Sequence, residues 1–405
     1  MSKIAILGYG VVGSGVYEVI RTNAESIARK SGRKIDIKYI LDLRDFDDHP
    51  EKELFTKDFQ KILKDAEVDI VAEVIGGARA AYTFTKEALL AGKSVVTSNK
   101  ELVATHGAEL LNIAIEKGVS YLFEASVGGG IPIIRPLHQC LAANEITEIL
   151  GILNGTTNYI LTQMVKEGKD FEVALKDAQK KGYAEADPTA DIEGIDACRK
   201  IAILSSLAYG KQVDADKVDT QGISGLSLTD VAYAEKMGYV IKLIGHSLLE
   251  NGHVMVYVSP MLVPLEHSLA GVDDVFNAIM VKGNAIGDVM FYGRGAGKLP
   301  TASAVVADII DIASNGKSSK PIRWEAAEKD YMLGISENNS LDFVRAGISQ
   351  QEKVQELFGG VGIITLSEKP DEFGFITPKM KEKELNKKLA QMEDVRQVIR
   401  LIENN

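Results

Sequence analysis

Cysteine is almost absent: the 405 residues hold two, Cys140 and Cys198, and no CxxC spacing. Neither a disulfide framework nor a cysteine-ligated zinc site is supported, and the apolar residues around both thiols suit packing. Histidine is scarce too, six in all and never as an HxxxH pair, so the usual motif of a hydrolytic metal centre is missing. There is no excess of basic charge. The formal net charge is −11, whereas phosphate backbones and anionic membranes need clustered Lys and Arg. No nucleic-acid or membrane partner is expected. Long uncharged runs are few. One, "IAILGYGVVGSGVYEVI", is too rich in glycine and lacks a small-residue cleavage site for a signal peptide. Another, Ile149 to Val165, contains "NGTTN" and cannot sit in hydrocarbon. A cytoplasmic location is the expectation.

What is there has the balance of an ordinary globular protein, 45% hydrophobic and 25% charged. A chain of this length exceeds one compact core, so two or three domains are expected. "KIAILGYGVVGSGVYEVI" reads as a short apolar strand, a glycine turn and a helix, with Gly8, Gly10 and Gly13 forming GxGxxG. The first glycine permits the turn, the second admits a pyrophosphate and the third lets helix and strand pack closely. Val11 and Val12 complete that turn. The next strand, Lys34 to Leu41, ends in "DLRDF". Asp42 suits the ribose hydroxyls of NAD, and Arg44 suits the 2′-phosphate of NADP. The sequence offers both. "VDIVAEVIGG" ends in Ile75 and Gly76, where a cofactor would cross the sheet, and "KSVVTSNK" delivers Asn99 and Lys100 at a strand's carboxyl end. Ligands of open parallel sheets bind at such ends.

Past Pro136 the pattern changes. "EITEILGILNGTTNYILTQMVKEG" predicts a strand, a polar turn and a helix from about Asn158, with Thr156, Thr157 and Asn158 as capping residues or as a seat for a substrate carboxylate. "GYAEADPTADIEGIDACRK" carries five carboxylates yet runs straight into the apolar "IAILSSLAYG". A helix is predicted from about Asp191 or Ile192 to Tyr209. Asp196 and Lys200 are four apart, acid first, the favourable order for an ion pair. The same stripe continues through Ile203 and Leu207, so the pair lies at the mouth of a buried region. A lysine beside a carboxylate at such a mouth is a candidate for acid–base chemistry. Glu185 and Asp191 can converge on it.

"TSNKELVA", "EASVGGGIPII", "NGTTNYIL", "AQKKGYAEADPTADIEGIDACRKIAILSSLA" and "GRGAGKLPTASAVVAD" follow in the order and spacing of homoserine dehydrogenase. The chain resembles that family over residues 1 to about 315. The resemblance implies reversible reduction of L-aspartate 4-semialdehyde to L-homoserine with NADP or NAD, on the route to threonine, methionine and isoleucine. It implies Lys200 as the catalytic lysine, with Lys100 near the nicotinamide and substrate. Glu185, Asp196, Asp191 and Thr156 match substrate positions, and carboxylates suit a substrate carrying an ammonium group. Glu124, with the backbones of Val127, Gly129 and Ile131, matches a monovalent-cation site, usually sodium. Gly182, Gly295 and Gly297 match loops that close on the cofactor. A homodimer or homotetramer is expected.

From about Asp330 the string reads strand "YMLGI", helix "SLDFVRAGISQQEKVQELF", strands "VGIITLSE" and "EFGFITP", helix "KEKELNKKLAQM" and strand "VRQVIRLIE". That βαββαβ order is ferredoxin-like and resembles the ACT module, which commonly senses an amino acid such as threonine. "ENNSLDF" replaces that module's usual glycine turn, so an effector role and a purely structural one both stand. The expected architecture is α/β. A Rossmann-type dinucleotide-binding domain spans 1–135 plus about 296–318, an α+β substrate-binding and dimerisation domain spans 136–295, and the ACT-like domain spans 329–405. Two other readings share the plan: a dehydrogenase of another small amino-acid aldehyde or alcohol, and a silent NAD(P)-binding protein.

Overall fold

A computed structural model describes residues 1–315 and 321–403; the boundary expected near residue 318 lies outside them. Two compact units form. The first comprises Met1–Ile146, Ala202–Ala215 and Gly283–Glu328, and the second Thr147–Ile201, Asp216–Lys282 and Lys329–Asn405.

The first unit is built on a parallel sheet in the order Phe55–Thr56, Ile35–Leu41, Ser2–Leu7, Val68–Glu73, Ser94–Thr97, Tyr121–Leu122. Its strands are continuous β-branched runs because helices cover both faces; Ile4, Ile6, Val71, Val95 and Val96 are wholly buried. Each such side chain contributes roughly 1.5–3 kcal/mol. The order reverses between Ser2–Leu7 and Val68–Glu73, which makes the crevice at their carboxyl ends the expected ligand seat. Helix Lys298–Asn315, with Pro300 in its first turn, packs on helix Val11–Thr22. Cys198 is buried as expected, but Cys140 is exposed. It ends a short π-helical turn, Pro136–Cys140, whose buried residue is Leu137.

The second unit has a mixed sheet ordered Phe276–Gly283, Ile146–Ile152, Tyr239–Glu250, His253–Pro264, Val395–Leu401, Asp342–Gly347, Glu372–Ile376. Tyr239–Glu250 and His253–Pro264 form a long hairpin closed by Asn251 and Gly252, both with positive φ (52° and 81°). A two-residue Asn-Gly turn of this hand matches the strands' own twist.

The carboxyl-terminal residues continue this sheet. Val395–Leu401 runs parallel to His253–Pro264, pairing Met261 with Arg400 and Leu262 with Leu401. The expected secondary structure here needs correction. Asp342–Gly347 is a strand, not the start of a helix, and the helix begins at Gln351. "VGIITLSE" forms no strand beyond one bridge from Ile364 to Gly374. The cause is burial on both faces: Asp342, Phe343, Val344, Ala346 and Gly347 are all buried, a run that helical and strand periods fit equally well. Pairing with Glu372–Ile376 on one side and Val395–Leu401 on the other decides it, and Arg345 adds ion pairs to Asp230 at 3.0 Å and Glu372 at 2.9 Å.

Candidate active site

In the first unit the glycine turn forms a cradle. Gly8 has φ +96°, and a Cβ on Gly13 would lie 1.9 Å from the Gly8 carbonyl oxygen, so no side chain fits there. Gly10 meets nothing within 4 Å and caps helix Val11–Thr22 without any side-chain bond to its N–H groups. Open N–H groups at a helix start suit a pyrophosphate, with Val11 largely exposed and Val12 half-buried beside it.

Asp42 follows strand Ile35–Leu41 and accepts the Tyr9 N–H at 2.8 Å, the Arg44 N–H and Nε–H at 3.0 Å each, and the Arg44 Nη2–H at 2.9 Å. The Arg44 guanidinium is the main cause holding the Asp42 carboxyl well below its usual range. The two residues that the sequence set up as rivals are thus partners. They line a cavity of about 230 Å³ with Phe46, Phe55, Lys52 and Lys57. Lys57 pairs with Asp45 at 2.7 Å and went unnoticed in the sequence because the strand before it, Phe55–Thr56, is only two residues long.

Ile75 and Gly76 follow strand Val68–Glu73, and Asn99 ties their loop down by donating to the Gly77 carbonyl at 2.8 Å. Asn99 also caps helix Lys100–Lys117, accepting the Leu102 N–H at 3.0 Å, so half-buried Lys100 opens that helix. The glycine loops at 128–130 and 293–297 close on one another. The Gly130 N–H donates to the Arg294 carbonyl at 3.0 Å, and a Cβ on Gly129 would lie 2.3 Å from the Gly295 carbonyl oxygen. Gly295 is buried and Gly297 exposed.

The Glu124 carboxylate accepts three backbone N–H bonds, from Ile133 at 2.6 Å and from Ile134 and Arg135 at 2.8 Å each. These bonds anchor the chain there. A cation at this loop would have to be held by main-chain oxygens of Glu124, Val127, Gly129 and Ile131. Asp308 accepts the Glu124 N–H and an Arg135 Nη2–H, at 2.8 and 2.7 Å. Burial pushes its carboxyl up to about 8.

In the second unit Lys200 is 7% exposed. Its Nζ donates to Asp196 Oδ2 at 2.7 Å and to the Leu153 carbonyl at 2.8 Å. Asn154 is the hub that sequence reasoning missed. Its amide donates to Asp196 at 2.9 Å and to Asp191 at 2.7 Å, while its Oδ1 accepts the Thr157 N–H at 2.9 Å and caps helix Gly155–Glu167. Thr156, Thr157 and Asn158 are therefore not caps but buried first-turn residues. An Asn directly before Gly155 was the available signal. Thr156 Oγ1 donates to the Tyr183 carbonyl at 2.7 Å.

The long helix expected from Asp191 is two helices, Thr189–Ile192 and Ile195–Tyr209, parted by Gly194 at φ +79°. The break turns Asp191 toward Asn154. Burial raises the Asp191 carboxyl. Asp191, Asp196, Lys200 and Thr156 thus come together around Asn154. Glu185 stands exposed on the loop after Gly182, its carbonyl held by Gln179 at 3.1 Å. Two carboxylates around one ammonium leave the cluster short of positive charge, which a cationic ligand can supply.

The sequence matches the family model "Homoserine dehydrogenase, NAD binding domain" over residues 8–124 and "Homoserine dehydrogenase" over residues 132–310. The homoserine dehydrogenase of Bacillus subtilis (strain 168) is 43% identical over 317 residues, covering 77% of this chain and 73% of its own. The chain belongs to the homoserine dehydrogenase family. It is an NAD(P)-dependent oxidoreductase acting on a CH–OH group. The homoserine dehydrogenase of Thiobacillus denitrificans superposes with a TM-score of 0.91 at 36% identity, covering 99% of this chain and 98% of that one. A hyperthermophilic archaeal homoserine dehydrogenase mutant in complex with NADPH gives 0.68 at 30% identity, covering 80% and 99%.

Proposed function

We propose that Lys200 carries the proton in the reversible reduction of L-aspartate 4-semialdehyde to L-homoserine, and the observation that carries this is its buried ammonium 2.7 Å from Asp196. NAD(P)H, when bound, supplies the hydride. As the aldehyde carbon gains that hydride, its oxygen becomes an alkoxide and takes a proton from the Lys200 ammonium. In reverse the neutral amine removes the hydroxyl proton. Asp196 fixes the amine on one side and the Leu153 carbonyl on the other, so its third proton is aimed by geometry. Asp191 and Asp196, with Glu185 from the loop above, take the substrate ammonium. Thr156 orients the substrate, and Lys100 attends the nicotinamide. Glu185→Ala is expected to raise the homoserine KM with little change in cofactor KM; a loss confined to the cofactor would refute its role.

The cradle, together with Ile75, Gly76, Gly182, Gly295 and Gly297, takes the dinucleotide. Asp42 engages the ribose hydroxyls of NAD, whereas Arg44 and Lys57 engage the 2′-phosphate of NADP. Asp42→Ala should weaken NAD more than NADP, and Arg44→Ala the reverse. Equal losses for both cofactors in both variants would show that neither residue reads the 2′ position. A sodium ion on the glycine-loop carbonyls, a homodimer or homotetramer, and an amino acid such as threonine as effector complete the proposal. Following NAD(P)H formation from homoserine, with each cofactor and with or without threonine, tests the activity and the effector together.

A further inference from the structure

Glu73 ends the strand beside the glycine turn and is wholly buried. Its Oε1 accepts the Ile75 N–H at 2.7 Å and its Oε2 accepts the Thr97 hydroxyl at 2.6 Å. The Thr97 oxygen in turn accepts the Asn99 N–H at 2.9 Å. Asn99 reaches back to the carbonyls of Ile75 and Gly77 at 3.3 and 2.8 Å. One carboxyl therefore closes a ring of hydrogen bonds joining the loop after one strand to the helix start after the next. A buried carboxyl is a costly way to stabilise a fold when an apolar side chain would fill the same space.

We propose that Glu73 is a positioning residue for the dinucleotide: through Ile75 and Thr97 it holds the Ile75–Gly76 loop and the Asn99–Lys100 helix start in the arrangement that receives the cofactor. This rests on reading Ile75 and Gly76 as cofactor contacts. Glu73 makes no contact with the cofactor and acts only through that ring. Burial raises its carboxyl to about 7, and both of its oxygens accept, one from Ile75 and one from Thr97. Glutamine keeps the volume and one such oxygen. Leucine has the volume and neither.

The test is steady-state kinetics on the full-length enzyme with homoserine and each cofactor. Glu73→Leu should raise the cofactor KM by about tenfold or more, the scale of one or two lost hydrogen bonds, and leave the homoserine KM unchanged. Glu73→Gln, which keeps the volume and one of the two bonds, should raise the cofactor KM less than Glu73→Leu. If Glu73→Leu does not fold, Thr97→Val cuts the ring at the next link and should raise the same constant. Gly76→Val separates this idea from the reading beneath it. A Cβ at Gly76 meets nothing within 4 Å, so that variant is expected to fold and to obstruct only a ligand. A raised cofactor KM in Gly76→Val with wild-type values in Glu73→Leu or Thr97→Val overturns the positioning role alone. A wild-type cofactor KM in Gly76→Val removes the loop from the cofactor site, and Glu73's role with it.

Discussion

Lys200→Ala is expected to lower kcat for homoserine oxidation by about 10²- to 10⁴-fold, the span that a positioned general acid–base group contributes, while cofactor affinity hardly changes. The asymmetry follows from where the amine sits. It is held by Asp196 and the Leu153 carbonyl, and neither belongs to the glycine cradle. Alanine also leaves a hole, so Lys200→Met, which keeps the volume, separates lost chemistry from lost packing. Both variants should show the same fall in turnover with normal cofactor binding by fluorescence titration. Normal turnover in either would take Lys200 out of the mechanism.

The second large effect is on stability. Asp196→Ala should cost about 3–5 kcal/mol, because removing one partner leaves a buried ammonium uncompensated. The side chains of Asp196 and Lys200 are 6% and 9% exposed. The Lys353–Glu356 pair, at 67% exposure for the glutamate, is an instructive contrast: such surface pairs contribute about 0.2–1 kcal/mol. Asp196→Ala also frees one bond of the Asn154 amide, adding to the loss. Urea unfolding of the two single variants gives the comparison directly. A cost for Asp196→Ala as small as that for Glu356→Ala would mean that water reaches Lys200, and the buried-pair picture would fail.

Much of this was legible in the sequence where a local pattern maps onto one geometry. Gly8, Gly10 and Gly13 sit in a strand–turn–helix context that allows little else. The stripe from Asp196 through Lys200 to Ile203 told correctly that charge was entering a buried place, because the helical period is strict within one element. What escaped was set by partners distant in the chain. Asn154 looked like one polar residue of a turn; its importance comes from Asp191 and Asp196, some forty residues on. The segment Asp342–Gly347 is buried at every position but Arg345, so its apolar residues carry no period, and pairing with Glu372–Ile376 and Val395–Leu401 makes it a strand. Gly194 was visible, but a single glycine inside a helical pattern does not announce a left-handed break.

The last strand of the chain is stitched to His253–Pro264, which is stitched to Tyr239–Glu250, and that in turn to Ile146–Ile152, whose end leads to the carbonyl gripping Lys200. Tail and Lys200 amine thus belong to a single slab. Close-packed slabs transmit strain and deform little, so a disturbance at the tail would be passed along the ladder to the Leu153 carbonyl.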